Sequence, residues 1–374
     1  MTDWRYSSEI IKRWKAGVPV RILLDLRSDS LYPAAVTIRE SFIDAGIPIR
    51  YKFTSGINHW KMMLYRGQSA VHFSAANFAN GSYSPSEAGG EYFKYVDEAI
   101  YFTTDEKVVQ TFMNKYDDLW TNTTHYHNLA NISGPLTRTY PTYSENDLDP
   151  ELNFPPDEDY HDRLIAQMKN ETQRIDVVMF RITSAKPTDE MIRRVKAGVP
   201  VRLITDRRQY RNTKYFWHSY NVDRMYLAGI PIKWKDSGTE QDMHQKSVVL
   251  HGVDMGIFGS SNWTSSSSSI QREHNYFTRK TWFVDWLKEQ FLRKWNNTRA
   301  NGTAVTPAQY VNYTPGLPDT PVNSSPANGA VGIASSVTLK WEGGWWAHKY
   351  DIYFGTTNPP PLIAQNFMPC GKPL

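Results

Sequence analysis

Apolar residues recur along this chain at helical spacing in some stretches and in unbroken runs in others. Ile10, Ile11 and Trp14 fall on one helical face, and Met191, Ile192 and Val195 do the same further on. Each stripe runs into a glycine, Gly17 or Gly198, a residue suited to ending a helix. Apolar runs follow at 20–25 and 201–206 and predict buried strands. Val108, Phe112, Tyr116 and Trp120 share one helical face, as do Phe283, Leu287, Phe291 and Trp295, so each set predicts a closing helix. Alternating helix and strand patterns predict an α/β architecture.

The two halves are copies. The heptapeptide Lys-Ala-Gly-Val-Pro-Val-Arg at 15–21 recurs at 196–202, an offset of 181 (196 − 15). Ala-Gly-Ile-Pro-Ile at 45–49 recurs at 228–232, an offset of 183 (228 − 45), and the closing helices are offset by 175 (283 − 108). Such ordered matches predict a tandem duplication with lobes at 1–145 and 150–300. A strand pattern at 174–180 precedes the second lobe's first helix, while the first lobe opens on its helix almost at once. The first lobe is therefore expected to lack that strand, the chain to be cut short upstream, and this form to lose stability at an unpaired sheet edge.

Residues 301–328, rich in Pro, Gly, Asn, Ser and Thr, predict a linker. Strand patterns at 336–341 and 350–354 follow. Residues 329–374 resemble part of a fibronectin type III domain, a partial β-sandwich expected to be cut short.

Composition narrows the partners. The net charge of +4, from 42 basic and 38 acidic residues, favours an anionic substrate weakly and is far from that of a nucleic-acid coat protein. Thirteen Trp and 22 Tyr suit aromatic-rich cores or a ligand-contacting surface. Cys370 is the single cysteine, which excludes an intrachain disulfide and a cysteine-based zinc site. No apolar run is long enough to predict a transmembrane segment, and no signal-peptide pattern is visible.

Polar residues stand at matching places in both copies. The second lobe carries His244-Gln245-Lys246, then Gly259-Ser260-Ser261-Asn262, then Glu273. The first carries His59-Trp60-Lys61, then Ser74-Ala75-Ala76-Asn77, then Glu98. His, Lys and Asn share an offset of 185 (244 − 59, 246 − 61, 262 − 77), whereas Glu98 and Glu273 share the 175 of the closing helices. Ten extra residues therefore fall in a loop between Ala79 and Gly90, and Glu87 and Glu91 compete with Glu98.

Alternation along a strand puts each His and Lys on one face. A histidine can attack phosphorus or protonate a leaving oxygen near neutral pH. Lysine and asparagine supply donors for phosphoryl oxygens, and a glutamate on the far imidazole nitrogen would fix the tautomer. Two copies suit double displacement, with one histidine attacking and the other giving the proton. Each residue also has a plainer reading, as a satisfied or solvated side chain or a turn residue, and the doubling argues against it. His125 and His127 read as a polar loop, and His72, His251 and His274 as neighbours. The serine run at 265–269 reads as a flexible loop, and Trp60 and Trp263 as core or as the lining of a mouth.

The doubled His-Lys-Asn-Glu set over residues 1–300 resembles that of the phospholipase D superfamily. The resemblance implies duplicated α/β sandwich lobes about a pseudo-twofold, with one site built from His59, Lys61, Asn77, Glu98, His244, Lys246, Asn262 and Glu273. It implies no metal or other cofactor, and a phosphohistidine intermediate formed on His59 with His244 as general acid. The implied substrate is a phosphodiester, phospholipid first and nucleic acid second, hydrolysed by water or transferred to an alcohol. The alternative is a partly degenerate phosphate-binding module without turnover. Arg66 and His251 stand where the family motif HxKxxxxD ends in Asp, and Ser74-Ala75 replaces a Gly-Ser pair. The missing Asp bears on support of the strand more than on contact with phosphate. The fibronectin-like segment suggests, by association alone, a secreted or extracellular setting.

Overall fold

The computed structural model describes residues 1–79, 81–83, 96–236, 242–343 and 346–367. In the first lobe, α1 (Trp4–Lys15), β1 (Ile22–Asp25), α2 (Pro33–Asp44) and β2 (Ile49–Lys52) precede a meander of β3 (Met62–Tyr65), β4 (Ala70–Ser74) and β5 (Ile100–Thr103). The lobe closes with α3 (Glu106–Thr121) and β6 (Tyr126–Ala130). Sequence starts the helices: Asp3 caps α1 by accepting the Arg5 N–H, and Asp105 caps α3 by accepting that of Val108. Gly17 and its copy Gly198 end α1 and its counterpart at φ +86° and +85°, with open space where a Cβ would lie. Their conformation, not crowding, requires glycine there.

The second lobe contains β7 (Leu152–Asn153), α4 (Tyr160–Met168), β8 (Ile175–Met179), α5 (Ala185–Lys196), β9 (Val201–Asp206), α6 (Arg207–Tyr210) and α7 (Phe216–Leu227). It continues with β10 (Ile232–Lys235), β11 (Lys246–Leu250), β12 (Met255–Gly259), α8 (Ser265–Ser269), β13 (Asn275–Thr278) and α9 (Thr281–Asn296). Its sheet has eight strands in the order β14-β10-β9-β8-β11-β12-β13-β7, where β14 is Tyr310–Asn312. Strands β8, β9 and β10 run parallel, and β11 turns the rest antiparallel. The first lobe repeats this order as two three-stranded sheets, β1-β2-β6 and β3-β4-β5. Among the described strands there is no counterpart of β8 to join β1 to β3.

Two corrections concern elements outside that frame. The stretch 301–328, expected as a linker, contributes β14, which pairs antiparallel with β10 and buries Tyr310 and Tyr313. Aromatic burial overrides a loop-like composition here. The serine run forms α8, because Thr264 caps it and buried Ser268 donates to Asp159. Beyond β14, β15 (Val322–Ser325) pairs with β16 (Lys340–Glu342), and β17 (Tyr350–Tyr353) with β18 (Leu362–Phe367), as separate hairpin-like pairs. The fibronectin resemblance of this segment is carried by the sequence alone.

The lobes share a core. Phe73, Tyr101 and Phe112 of the first pack with Phe258, Tyr276 and Phe283 of the second, and the rings of Phe73 and Phe258 stack at 5.4 Å. Each such side chain contributes about 1.5–3 kcal/mol by leaving water. No helix among the described residues is long and apolar enough to cross a membrane.

Candidate active site

The segments bearing the two histidines each hydrogen-bond across to the other lobe. The His59 N–H donates to the Arg272 carbonyl at 2.9 Å, one residue before Glu273, and the His244 N–H donates to the Asp97 carbonyl at 2.9 Å, one residue before Glu98. Each histidine is thereby set against the other lobe's glutamate. His59 Nδ1 lies 2.8 Å from Glu273 Oε2, and His244 Nδ1 lies 2.6 Å from Glu98 Oε1. Spacing identified the four residues but not which lobe served which. Glu87 and Glu91, the competitors of Glu98, lie outside the described residues. Both glutamates are buried, so each imidazole meets a carboxylate with little access to water.

The lysines fold back under their histidines, as expected of positions two apart on an extended chain. Lys61 Nζ donates to the His59 carbonyl at 2.7 Å, and Lys246 Nζ donates to that of His244 at 2.5 Å. Both are buried cations, 3% and 1% exposed. Burial depresses Lys61 to about 7, helped by Lys246 and resisted by Glu273. Burial depresses Lys246 to about 8, resisted by Glu98 and Glu273. Burial also lowers His59 and lowers His244 further. It pushes Glu98 up to about 8 against the pull of Lys246 and Lys61. Charge is therefore held at a cost that an arriving anion would offset.

The asparagines are not equivalent. Asn262 is buried and its Oδ1 has no partner, while Asn77 is exposed. Asn77 follows the end of β4, ahead of the insertion that the second lobe lacks, whose residues 84–95 lie outside the described residues. The structure thus brings together His59, Lys61, Glu98, His244, Lys246 and Glu273, while Asn262 lies buried three residues beyond the end of β12.

Residues that the sequence left between readings take definite places, and Phe180 joins them. The Trp60 indole donates to the Glu273 carbonyl at 2.9 Å, which assigns it to support of that residue. Trp263 is fully buried, hence core. His274 Nε2 accepts the Lys61 N–H at 3.2 Å. Ser260 Oγ donates to Glu273 Oε2 at 2.5 Å. Phe180 sets its ring edge to face against His244, with centroids 4.6 Å apart. The only sequence signal for Phe180 was its place at the end of the second lobe's extra strand.

Other groups take up the support expected of the absent motif Asp. His251 Nε2 lies 2.8 Å from Asp176, which also receives Arg202 through two hydrogen bonds of 2.8 and 2.7 Å. The buried Glu171 carboxylate accepts the N–H groups of Gln173, Arg174, Gly252 and Val253 and so pins the turn between β11 and β12. Gly259, which opens the Gly-Ser pair, has no room for a side chain: a Cβ would sit 2.2 Å from the His274 carbonyl oxygen.

A family model described as "Cardiolipin synthase, PLD-like domain" matches residues 1–120 and 164–295. A mitochondrial cardiolipin hydrolase of Chlamydomonas reinhardtii is 24% identical over 134 residues, which cover 36% of this chain and 56% of that protein. The chain thus spans little more than half the length of that relative. Among solved structures, phosphatidylserine synthase of Haemophilus influenzae aligns with a TM-score of 0.50 at 10% identity, over 66% of this chain and 64% of that one. Polyphosphate kinase of Porphyromonas gingivalis aligns with a TM-score of 0.52 at 10% identity, over 84% of this chain and 43% of that one. These two likenesses concern the fold alone. With the family model matched across both lobes, this chain belongs to the phospholipase D superfamily.

Proposed function

We propose that the chain is a phosphodiesterase that works by double displacement between His59 and His244. The observation that carries this is the pair of histidine–glutamate contacts crossing the lobe interface, with two buried lysines between them. His59 Nε2 attacks phosphorus, the P–O bond to the leaving alcohol breaks, and that oxygen takes a proton from His244. Water then attacks phosphorus, gives its proton to His244, and the P–N bond breaks to restore His59. Lys61, Lys246 and Asn262 donate to the phosphoryl oxygens as charge develops.

The lobes differ in a way that favours this order. The Ser260 hydroxyl donates to Glu273 Oε2, the oxygen that meets His59 Nδ1, and so fixes that carboxylate against the imidazole with the far nitrogen of His59 turned to the substrate. Glu98, pushed up to about 8, keeps a proton beside His244 at neutral pH. That proton can reach His244 as the leaving oxygen takes one from its other face.

A phospholipid is the proposed substrate, supported by the relative named for cardiolipin hydrolysis. Turnover of bis(4-nitrophenyl) phosphate tests the chemistry. The unaltered chain should release nitrophenol, and His59→Ala and His244→Ala should each lower kcat by about 1,000-fold or more. No release by the unaltered chain favours the binding module instead. Cardiolipin vesicles and single-stranded DNA, supplied in parallel, separate the lipid reading from the nuclease reading.

A further inference from the structure

Arg181 breaks the pseudo-twofold of the site. It follows β8, the strand with no described counterpart in the first lobe, so the His59 side has no described equivalent. Its carbonyl accepts the Trp263 N–H at 3.0 Å, which places it beside Asn262. Its guanidinium carbon lies 5.5 Å from the ring centroid of Phe180, and Lys246 Nζ lies 5.2 Å from the same centroid. Phe180 in turn packs on His244. One aromatic ring thus touches the histidine and borders both cations.

The guanidinium is held as a docking group is held. Tyr215 lies beneath it at 3.8 Å, and its Nε donates to Gln209 Oε1 at 2.8 Å. Among the described residues its two terminal nitrogens have no hydrogen-bond partner. The nearby carboxylates are engaged elsewhere: Asp206 accepts the N–H groups of Gln209 and Met243, and Asp242 pairs with Arg208 at 2.7 Å. A planar fork fixed at one nitrogen, stacked on an aromatic ring and open at its other two among the described residues suits bidentate binding of phosphate.

We propose that Arg181 binds a second anionic group of the substrate, on the His244 side of the phosphate that reacts. The substrate class is a phosphodiester that carries a second anionic group beside the phosphate that reacts, so that the reacting phosphate meets Lys246 and the other group Arg181. The inference rests on the phosphodiester reading of the site, but not on which histidine attacks. It makes Arg181 a specificity residue that discriminates by charge count.

Calorimetric titration of glycerol 1,3-bisphosphate and glycerol 3-phosphate into the whole chain tests it. The unaltered chain should bind the bisphosphate about tenfold more tightly or better. Arg181→Gln should bring the two affinities together while shifting that of glycerol 3-phosphate by about threefold or less, and Arg181→Lys should restore part of the preference. No preference in the unaltered chain, an unchanged preference in Arg181→Gln, or equal weakening of both ligands would overturn the proposal. Nitrophenyl diester turnover by the unaltered chain is scored separately, so a failure of the catalytic reading is told apart from a failure of this one.

Discussion

The Ser260 hydroxyl hydrogen-bonds Glu273 at 2.5 Å, whereas Ala75 stands at the matching place in the first lobe (260 − 75 repeats the offset of 185). Each glutamate keeps one buried oxygen without a partner, and what separates them is this hydroxyl, which Glu98 lacks. Ser260→Ala should lower kcat/KM for a chromogenic diester by about 10- to 100-fold, the value of a hydrogen bond to a charged group. A change under about twofold would show that this hydroxyl does not bias the pair.

The alkaline side of the pH profile should belong to the lysines together with Glu98, which gives up its proton as pH rises through about 8. A cation with a lowered pKa loses its charge as pH rises through the new value. Lys61 at about 7 and Lys246 at about 8 should therefore make kcat/KM fall between pH 7 and 8, because that ratio reports the free enzyme. His59 must be neutral to attack and is lowered by burial, so the acid limb should lie below the usual histidine value. A profile flat from about pH 6.5 to 9 would contradict this assignment.

Asp97 ties the lobes together next to Glu98. It lies 2.9 Å from Lys235 and 3.7 Å from Lys294, and it accepts the Tyr310 hydroxyl. Burial raises its pKa, but these partners outweigh burial and lower it overall. Its contribution is thus full above the usual carboxylate range and lost as pH falls through the lower folded value. Asp97→Ala should cost about 3–5 kcal/mol in urea unfolding at neutral pH, since it strands buried ammonium groups.

Restoring the family's Asp should harm this chain. His251→Asp would set a second carboxylate against Asp176, which His251 now contacts at 2.8 Å. The exchange should lower stability by about 1–3 kcal/mol, measured by thermal unfolding, whereas a support role lost by chance predicts a gain.

The duplication, the α/β frame and both His-x-Lys strings were legible because they are periodicities of the chain itself. Glu98 was legible because its offset matched that of the closing helices and not that of the histidines. The pairing of each histidine with the other lobe's glutamate was not, since spacing along a chain does not say which lobe faces which. Asn77 and Asn262 occupy equal sequence positions but differ in burial, and an insertion follows only the first. The serine run and the Pro-rich stretch were misread for one reason: Ser268 and Tyr310 are ordered by distant partners, Asp159 and Asp97, invisible to local composition.

The covalent step through His59 is the centre of the account. Millisecond quenching of turnover with a phosphorus-labelled diester, followed by peptide mapping in alkali, would locate the trapped phosphoryl group. The predicted result is label on the peptide containing His59, accumulating in His244→Ala if breakdown of the intermediate is slowed more than its formation. Label on the His244 peptide, or none on either with inversion of configuration at phosphorus, would contradict it.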